Sequence, residues 1–398
     1  MNHQKRRHKW RLYVNIRFMP EYVTDFSLNP NHTWLNVASE GPLPRVAAAA
    51  LQEAVVWKSS PHLLTLPKFH QVPIELKKIL SALIHVDWQD VILGNSATYG
   101  LHLLVHGIGF KSGDEIILLQ NDFPTDILPW LSLEAQGVVV HQLPAQQHVL
   151  TPAEISKAIN ARTKLICLPY VHSFSGYRED IRTIGKQCRE RGIIFVVNLS
   201  QAAGAFEVNV EDLDLDAVVC AGYKWLLGPY GTGFCWIRKE IRQQLNYAQN
   251  YWISLMDEVS LNSQGALALN DDHSTRRYDV FGTANFFNYV PWHASIKYLL
   301  SIGMDKVRAH NQGLVDHIVD GLNSKYFDLL SPGPRTERTN IVVFSCKDAS
   351  KNHHLMEFLK EKGFHLALWK NKLRVSPHIY NTGKEIEALL KALNTYVA

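Results

Sequence analysis

Between Asp90 and Ile237 the chain alternates short apolar runs with helical patterns, and this alternation constrains the fold more than any other feature. Strands read at 91–93, 115–119, 138–141, 165–168, 193–197, 217–220 and 234–237. Helices read between them at 97–106, 126–134, 152–159 and 179–191. Runs apolar at every position mark strands covered on both faces, and helices of this length between them make βαβ units. The expectation is an α/β fold with a mainly parallel seven-stranded sheet and helices on both faces.

Beyond Gly282 the texture changes to long helical patterns at 285–301 and 305–322. A strand at 341–344, a helix at 353–361, strands at 365–368 and 373–375, and a closing helix at 385–393 follow. The expected division is a basic N-terminal extension at 1–18, a segment at 19–40 that packs with the small domain, a large α/β domain at 41–282 and a smaller C-terminal α+β domain at 283–398. A chain of 398 residues is long enough for this, and the site is expected in the cleft between the domains. The extension carries Lys5, Arg6, Arg7, Lys9, Arg11 and Arg17 with no acid before Glu21, and it lacks the apolar stretch of a secretory signal. It reads as a solvated arm or as sequence lying upstream of a start at Met19.

Charge and cysteine usage narrow the classes. With 41 basic against 37 acidic residues, nothing points to a nucleic-acid or membrane partner, and no apolar run reaches the roughly 18 residues of a span. Cys167, Cys188, Cys220, Cys235 and Cys346 are odd in number and show no Cys-x-x-Cys spacing. A disulfide framework and a zinc site are not expected, no metal is, and a reducing cytoplasm fits.

Polar residues at the exit ends of buried strands are where open α/β sheets build their sites. The run 193–197 ends in Asn198, with Gln201 just beyond, and the run 217–220 leads to Tyr223 and Lys224 ahead of a Gly/Pro-rich bend. A lysine against apolar walls can have its pKa lowered and act as a nucleophile toward a carbonyl. Asn95 to Gly100 joins a strand end to a helix start, where Ala97 and Thr98 form a phosphate seat or an ordinary Ser/Thr cap. Phe123 can lie flat on a planar ring and Asp126 can accept a hydrogen bond beside it; the same residues read equally as a Pro-bounded helix start with an Asp cap. Ser173, after the run 165–168, offers a hydroxyl. That all these ends fall on one sheet edge is more specific than any one of them.

The span from about Leu35 to Leu393 resembles the class V aminotransferase superfamily of pyridoxal-phosphate (PLP) enzymes, which includes cysteine desulfurases, kynureninases and isopenicillin N epimerase. Gly-Tyr-Lys-Trp-Leu-Leu-Gly-Pro-Tyr-Gly-Thr-Gly at 222–233 looks like its lysine signature, and the 26 residues from Asn198 to Lys224 equal its spacing from pyridine-binding acid to lysine. The resemblance implies PLP fold type I and PLP held as a Schiff base on Lys224, with Ala97 and Thr98 at the phosphate, Phe123 on the pyridine and Gln201 at the ring hydroxyl. Tyr223 and Phe-Pro-Thr-Asp at 123–126 are kynureninase-like. Thr283 resembles the threonine that reaches a neighbouring subunit's phosphate, which implies a homodimer with shared sites. Arg374 resembles the arginine that grips the substrate carboxylate, a role suited to its planar fork.

Two departures shape the expected chemistry. The loop at 363–371 has no cysteine where desulfurases carry the persulfide-forming one, so desulfuration by that route is not expected. Asn198 stands where the family has aspartate, and a neutral amide holds a proton on the pyridine nitrogen less well than a carboxylate. The functional expectation is a PLP enzyme acting on an α-amino acid substrate, with a C–S or C–C lyase ahead of an aminotransferase or epimerase. A PLP-binding protein with reduced or no catalysis is a further alternative. A polar insert at about 251–277 borders the expected site mouth.

Overall fold

The computed structural model describes residues 22–145, 148–256, 258–269, 274–282 and 285–397 of the chain. The basic extension therefore lies outside the described residues. The described residues form two compact units. The larger takes Leu43–Ser173 and Arg178–Ser301; the smaller takes the residues up to Pro42, Phe174–Tyr177 and Ile302–Ala398.

The larger unit is built on a seven-stranded sheet. Its strands are β1 (Val91–Gly94), β2 (Glu115–Leu119), β3 (Val139–Leu143), β4 (Thr163–Pro169), β5 (Ile194–Asn198), β6 (Ala217–Ala221) and β7 (Gly233–Ile237), in the order β1-β7-β6-β5-β4-β2-β3. From β6 to β3 neighbouring strands run parallel, and only β7 runs antiparallel to both of its neighbours. Every residue of β5 and β6 is buried, as the unbroken apolar runs require. Helix Ala97–Gly107 packs Leu101 and Leu104 into the core with Val196, Val219 and Trp130. Gly100 permits this approach, because a Cβ there would lie 2.7 Å from side-chain atoms of Cys235 and Val219. Filling that space would cost about 1–3 kcal/mol of overpacking.

One expectation needs correcting in this unit. The helix expected at 126–134 is broken into a 3-10 turn Pro124–Asp126, a short helix Leu128–Leu131 and a second 3-10 turn Ser132–Gln136. Pro124 and Pro129 each stand at a first turn, where a missing N–H is tolerated, so each starts a new segment and none propagates. By packing, the larger unit runs on to Ser301. Helix Phe286–Ile302 belongs with the larger unit because Trp292 is buried against Gly222 and Gly228 and Ser295 donates to the Leu227 carbonyl at 2.8 Å.

In the smaller unit a four-stranded antiparallel sheet carries Ala367–Trp369, Lys372–Val375, Val342–Cys346 and Phe327–Leu329 in that order. The strand expected at 365–368 is two: Phe364–His365 leaves the sheet and pairs in parallel with Thr33–Trp34. Segment 22–42 thus joins this unit, with Leu35 in a core shared with Leu314, Ile318, Phe344, Leu355 and Leu389. All five cysteines are buried and free. Among the described residues no helix is long and apolar enough to cross a membrane.

Candidate active site

Lys224 sits in a closed loop just beyond β6. The Gly222 N–H donates to the Thr232 carbonyl, the Gly228 N–H to the Gly222 carbonyl, both at 2.9 Å, and the Leu227 N–H to the Lys224 carbonyl at 3.0 Å. The loop is tight enough to force Leu227 to φ +53°, a conformation costly for a side chain with a Cβ. The Ser295 hydroxyl pins that residue's carbonyl. These bonds fix the lysine backbone while its side chain stays buried. The Nζ atom lies 5.0 Å from the Phe123 ring centroid and 5.8 Å from the Tyr223 ring, both within cation–π reach.

Asn198, the last residue of β5, has both ends of its amide engaged. Its Oδ1 accepts from the Ser200 N–H at 2.9 Å and its Nδ2 donates to Asp126 Oδ1 at 2.7 Å. Asp126 is joined by Asp122, whose Oδ1 accepts from the Phe123 N–H at 2.7 Å. Burial raises the pKa of both carboxyls, further for Asp122, which also feels the charge of Asp126. The Asn198 amide and the Lys224 charge pull Asp126 back down.

Gln201 is oriented by the Trp225 indole, which donates to its Oε1 at 2.7 Å, leaving Nε2 to donate to the Ser173 hydroxyl at 3.2 Å. On the opposite wall Ser96 caps helix Ala97–Gly107 by accepting from the Tyr99 N–H, so Ala97 and Thr98 occupy the first two helical positions. Their N–H groups have no acceptor within the helix and suit an anion. Here the cap and the candidate phosphate seat fall on the same turn. Gly233 lets β7 approach this turn, since a Cβ there would lie 2.5 Å from the Ser96 carbonyl carbon.

Ala97, Thr98, Phe123, Asp126, Ser173, Asn198, Gln201, Tyr223 and Lys224 line one pocket. Thr283 lies outside the described residues. Arg374 lies in the smaller unit, where its guanidinium is buried and donates to Asn36 Oδ1 at 3.2 Å and Ser39 Oγ at 2.7 Å; burial lowers its pKa to about 10. Sequence reasoning missed Thr125, whose hydroxyl meets that of Thr98 at 3.3 Å, and Ser200, whose Oγ accepts from the Ala221 N–H at 2.9 Å. Each stands within two residues of a side chain whose role is visible in the sequence, so adjacency was the available signal. Asp122 was missed because its role depends on Asp126.

The pocket is tight, about 40 Å³, and a cavity of about 570 Å³ lies elsewhere in the same unit. That larger cavity is lined by ion pairs that answer one another, Lys77 with Asp279 at 2.8 Å and Arg242 with Asp90 at 2.7 Å. Those two pairs are structural, and chemistry, not volume, singles out the Lys224 pocket.

The donor set fits PLP. It offers an amine for an aldehyde, an aromatic wall for a planar ring, a helix N-terminus for a phosphate, a carboxyl pair with an amide for the ring nitrogen, and an amide with a hydroxyl for the ring hydroxyl. A family model described as Aminotransferase class-V matches residues 66–389. A probable cysteine desulfurase of Methanothermobacter thermautotrophicus is 23% identical over 93% of this chain and 96% of its own. The isopenicillin N epimerase of Streptomyces clavuligerus is 25% identical over 92% of this chain and 95% of its own. A solved complex of the cystine C–S lyase C-DES with cysteine persulfide superposes with a TM-score of 0.82 at 20% identity, covering 92% of this chain and 97% of that one, which shows the fold. The chain belongs to the class-V aminotransferase family, whose members are PLP-dependent enzymes of fold type I.

Proposed function

We propose that the chain is a PLP-dependent lyase that cleaves a C–S or C–C bond of an α-amino acid. The observation that carries this is the convergence of nine residues from five chain segments on one pocket, with the Lys224 Nζ over the Phe123 ring at 5.0 Å. Lys224 would hold the cofactor through its side-chain amine, and the same amine would take and return the proton at the substrate Cα. When bound, PLP supplies an electrophilic carbon and a ring that accepts charge from the substrate. Phe123 covers one ring face, Ala97, Thr98 and Tyr223 hold the phosphate, and Gln201 with Ser173 orients the ring hydroxyl. Arg374 binds the substrate carboxylate; its burial makes a forked ion pair strong.

A lyase is favoured over desulfuration because all five cysteines are buried and the loop at 363–371 holds none. A C–S lyase releases its sulfur with the product and needs no acceptor thiol; the C-DES lyase, whose reaction product is cysteine persulfide, is an instance. We further propose a cytoplasmic homodimer in which Thr283 of the partner subunit completes the phosphate site. The exposed Val46, Val55 and Val56 on helix Arg45–Ser59 and the exposed Phe287 support a self-association surface.

The test is product analysis with a panel of L-amino acids, including cysteine, cystine and kynurenine. The expected result is catalytic release of a three-carbon product, pyruvate with ammonia or alanine, together with the cleaved fragment. Formation of the D-enantiomer alone would make the enzyme an epimerase, amino-group transfer to a 2-oxo acid would make it an aminotransferase, and no turnover would leave a binding protein. Each of those three contradicts the lyase reading.

A further inference from the structure

Position 198 leaves the pocket with a neutral amide, yet the structure places a carboxyl directly against it. We propose that Asp126 is the anion that holds the proton on the cofactor's ring nitrogen, with Asn198 and Asp122 positioning it. The proposal rests on the PLP reading of the site and says which member of the carboxyl pair carries the charge that meets the ring nitrogen.

The orientation of the Asn198 amide is set at both ends, because Oδ1 is occupied by the Ser200 N–H at 2.9 Å and Nδ2 meets Asp126 Oδ1 at 2.7 Å. A flipped amide would set two acceptors against each other at Asp126 and two donors at Ser200. Asn198 therefore acts as a clamp on Asp126, which reaches the pocket from the far side of β4, beyond the end of β2. A hydrogen bond to a charged group contributes more than one between neutral groups, so the clamp favours the ionised form.

The charges around Asp126 point the same way. Asp122, on the same turn, hydrogen-bonds to it, and two buried carboxyls in contact cannot both ionise. Burial and the Asp126 charge fall harder on Asp122, which also faces the protonated Glu179 carboxyl and has His172 Nε2 4.0 Å from its Oδ1. Asp126 instead feels the positive charge of Lys224; the buried thiol of Cys167 on β4 adds no charge, since burial drives its pKa well up. Asp122 is accordingly the proton-bearing member and Asp126 the anion. An anion lining this pocket is the partner a protonated ring nitrogen requires. The rival arrangement is that the second Asn198 N–H donates to an unprotonated ring nitrogen.

Nitrogen NMR of the holoenzyme loaded with PLP isotopically labelled at the ring nitrogen tests this. The wild-type signal is expected at the pyridinium position across about pH 6 to 9, and Asp122→Asn is expected to keep it there. Asp126→Asn is expected to move it to the free-pyridine position and to weaken PLP binding about 10- to 100-fold. The exchange variant Asp126→Asn with Asn198→Asp restores the pyridinium signal, while Asn198→Asp alone does not strengthen binding, because it sets a third carboxyl against the pair. A free-pyridine signal in the wild type overturns the proposal without recourse to any variant, and so does a pyridinium signal that survives in Asp126→Asn. A wild-type protein that takes up no PLP overturns the site reading itself, which separates the two failures.

Discussion

The larger unit contains two buried Lys–Asp couples, and they are built differently. Lys77 closes on Asp279 at 2.8 Å with both side chains almost wholly excluded from solvent, and the second Asp279 oxygen accepts from the Leu93 N–H at 2.8 Å. That couple is self-contained: each charge answers the other, and the arrangement ties helix Leu66–Ile84 to β1. Around Lys224, the nearby Asp126 is bonded to an amide and a second acid, and the lysine side chain lies over an aromatic ring. A charge matched to its own partner holds a fold together. A carboxyl held by neutral groups beside a buried amine and a helix N-terminus is poised for a ligand.

Removing half of the first couple gives the largest stability effect. Lys77→Ala leaves the Asp279 carboxylate buried without its cation and is expected to cost about 3–5 kcal/mol in chemical denaturation, with PLP still bound by the folded fraction. Lys77→Met with Asp279→Leu is expected to recover most of that loss, since an apolar pair of similar size replaces a self-contained ion pair at little cost. A loss under about 1 kcal/mol in the single variant would break the comparison, because the pair would then not be structural.

A smaller, pH-dependent effect sharpens the other side. Burial raises Glu179 to about 8 from its ordinary 4.5, so its native form is the protonated one. Its contribution to stability is full below about pH 4.5 and is lost as pH climbs through about 8. Glu179→Gln imitates the protonated acid and keeps an acceptor for the Leu150 N–H, 3.1 Å away in the wild type. The variant is expected to match wild-type stability near pH 4.5 and to exceed it by on the order of a few kcal/mol near pH 9. A difference that stays flat with pH would show that Glu179 is ionised in the native state.

Much of the site was legible because its parts sit at strand ends, where a switch from apolar to polar residues marks the place in one dimension. Lys224, Asn198, Phe123 and Ser173 were visible in this way. The segmented course of 124–136 was less so, although Pro124 and Pro129 offered a reason for it. What could not be seen is pairing across the chain: Asp126 with Asn198 or Lys77 with Asp279, since no local pattern records which buried acid meets which partner. Asp122 carries the same lesson, because a buried acid and a helix cap look alike until the second carboxyl is placed beside it. The turn at Ala97 and Thr98 was legible as either cap or phosphate site, and in the fold Ser96 caps a turn that lines the pocket.

Every role proposed for the pocket depends on Lys224 as the residue that carries the cofactor. Borohydride reduction of the purified holoenzyme, followed by peptide mapping, locates the carrier directly, because reduction converts the cofactor–lysine imine into a stable amine. The predicted result is one PLP adduct per chain on the peptide containing Lys224, with loss of the visible absorbance at about 420 nm on reduction. An adduct on any other lysine, Lys77 included, or a native protein that carries no cofactor would contradict it.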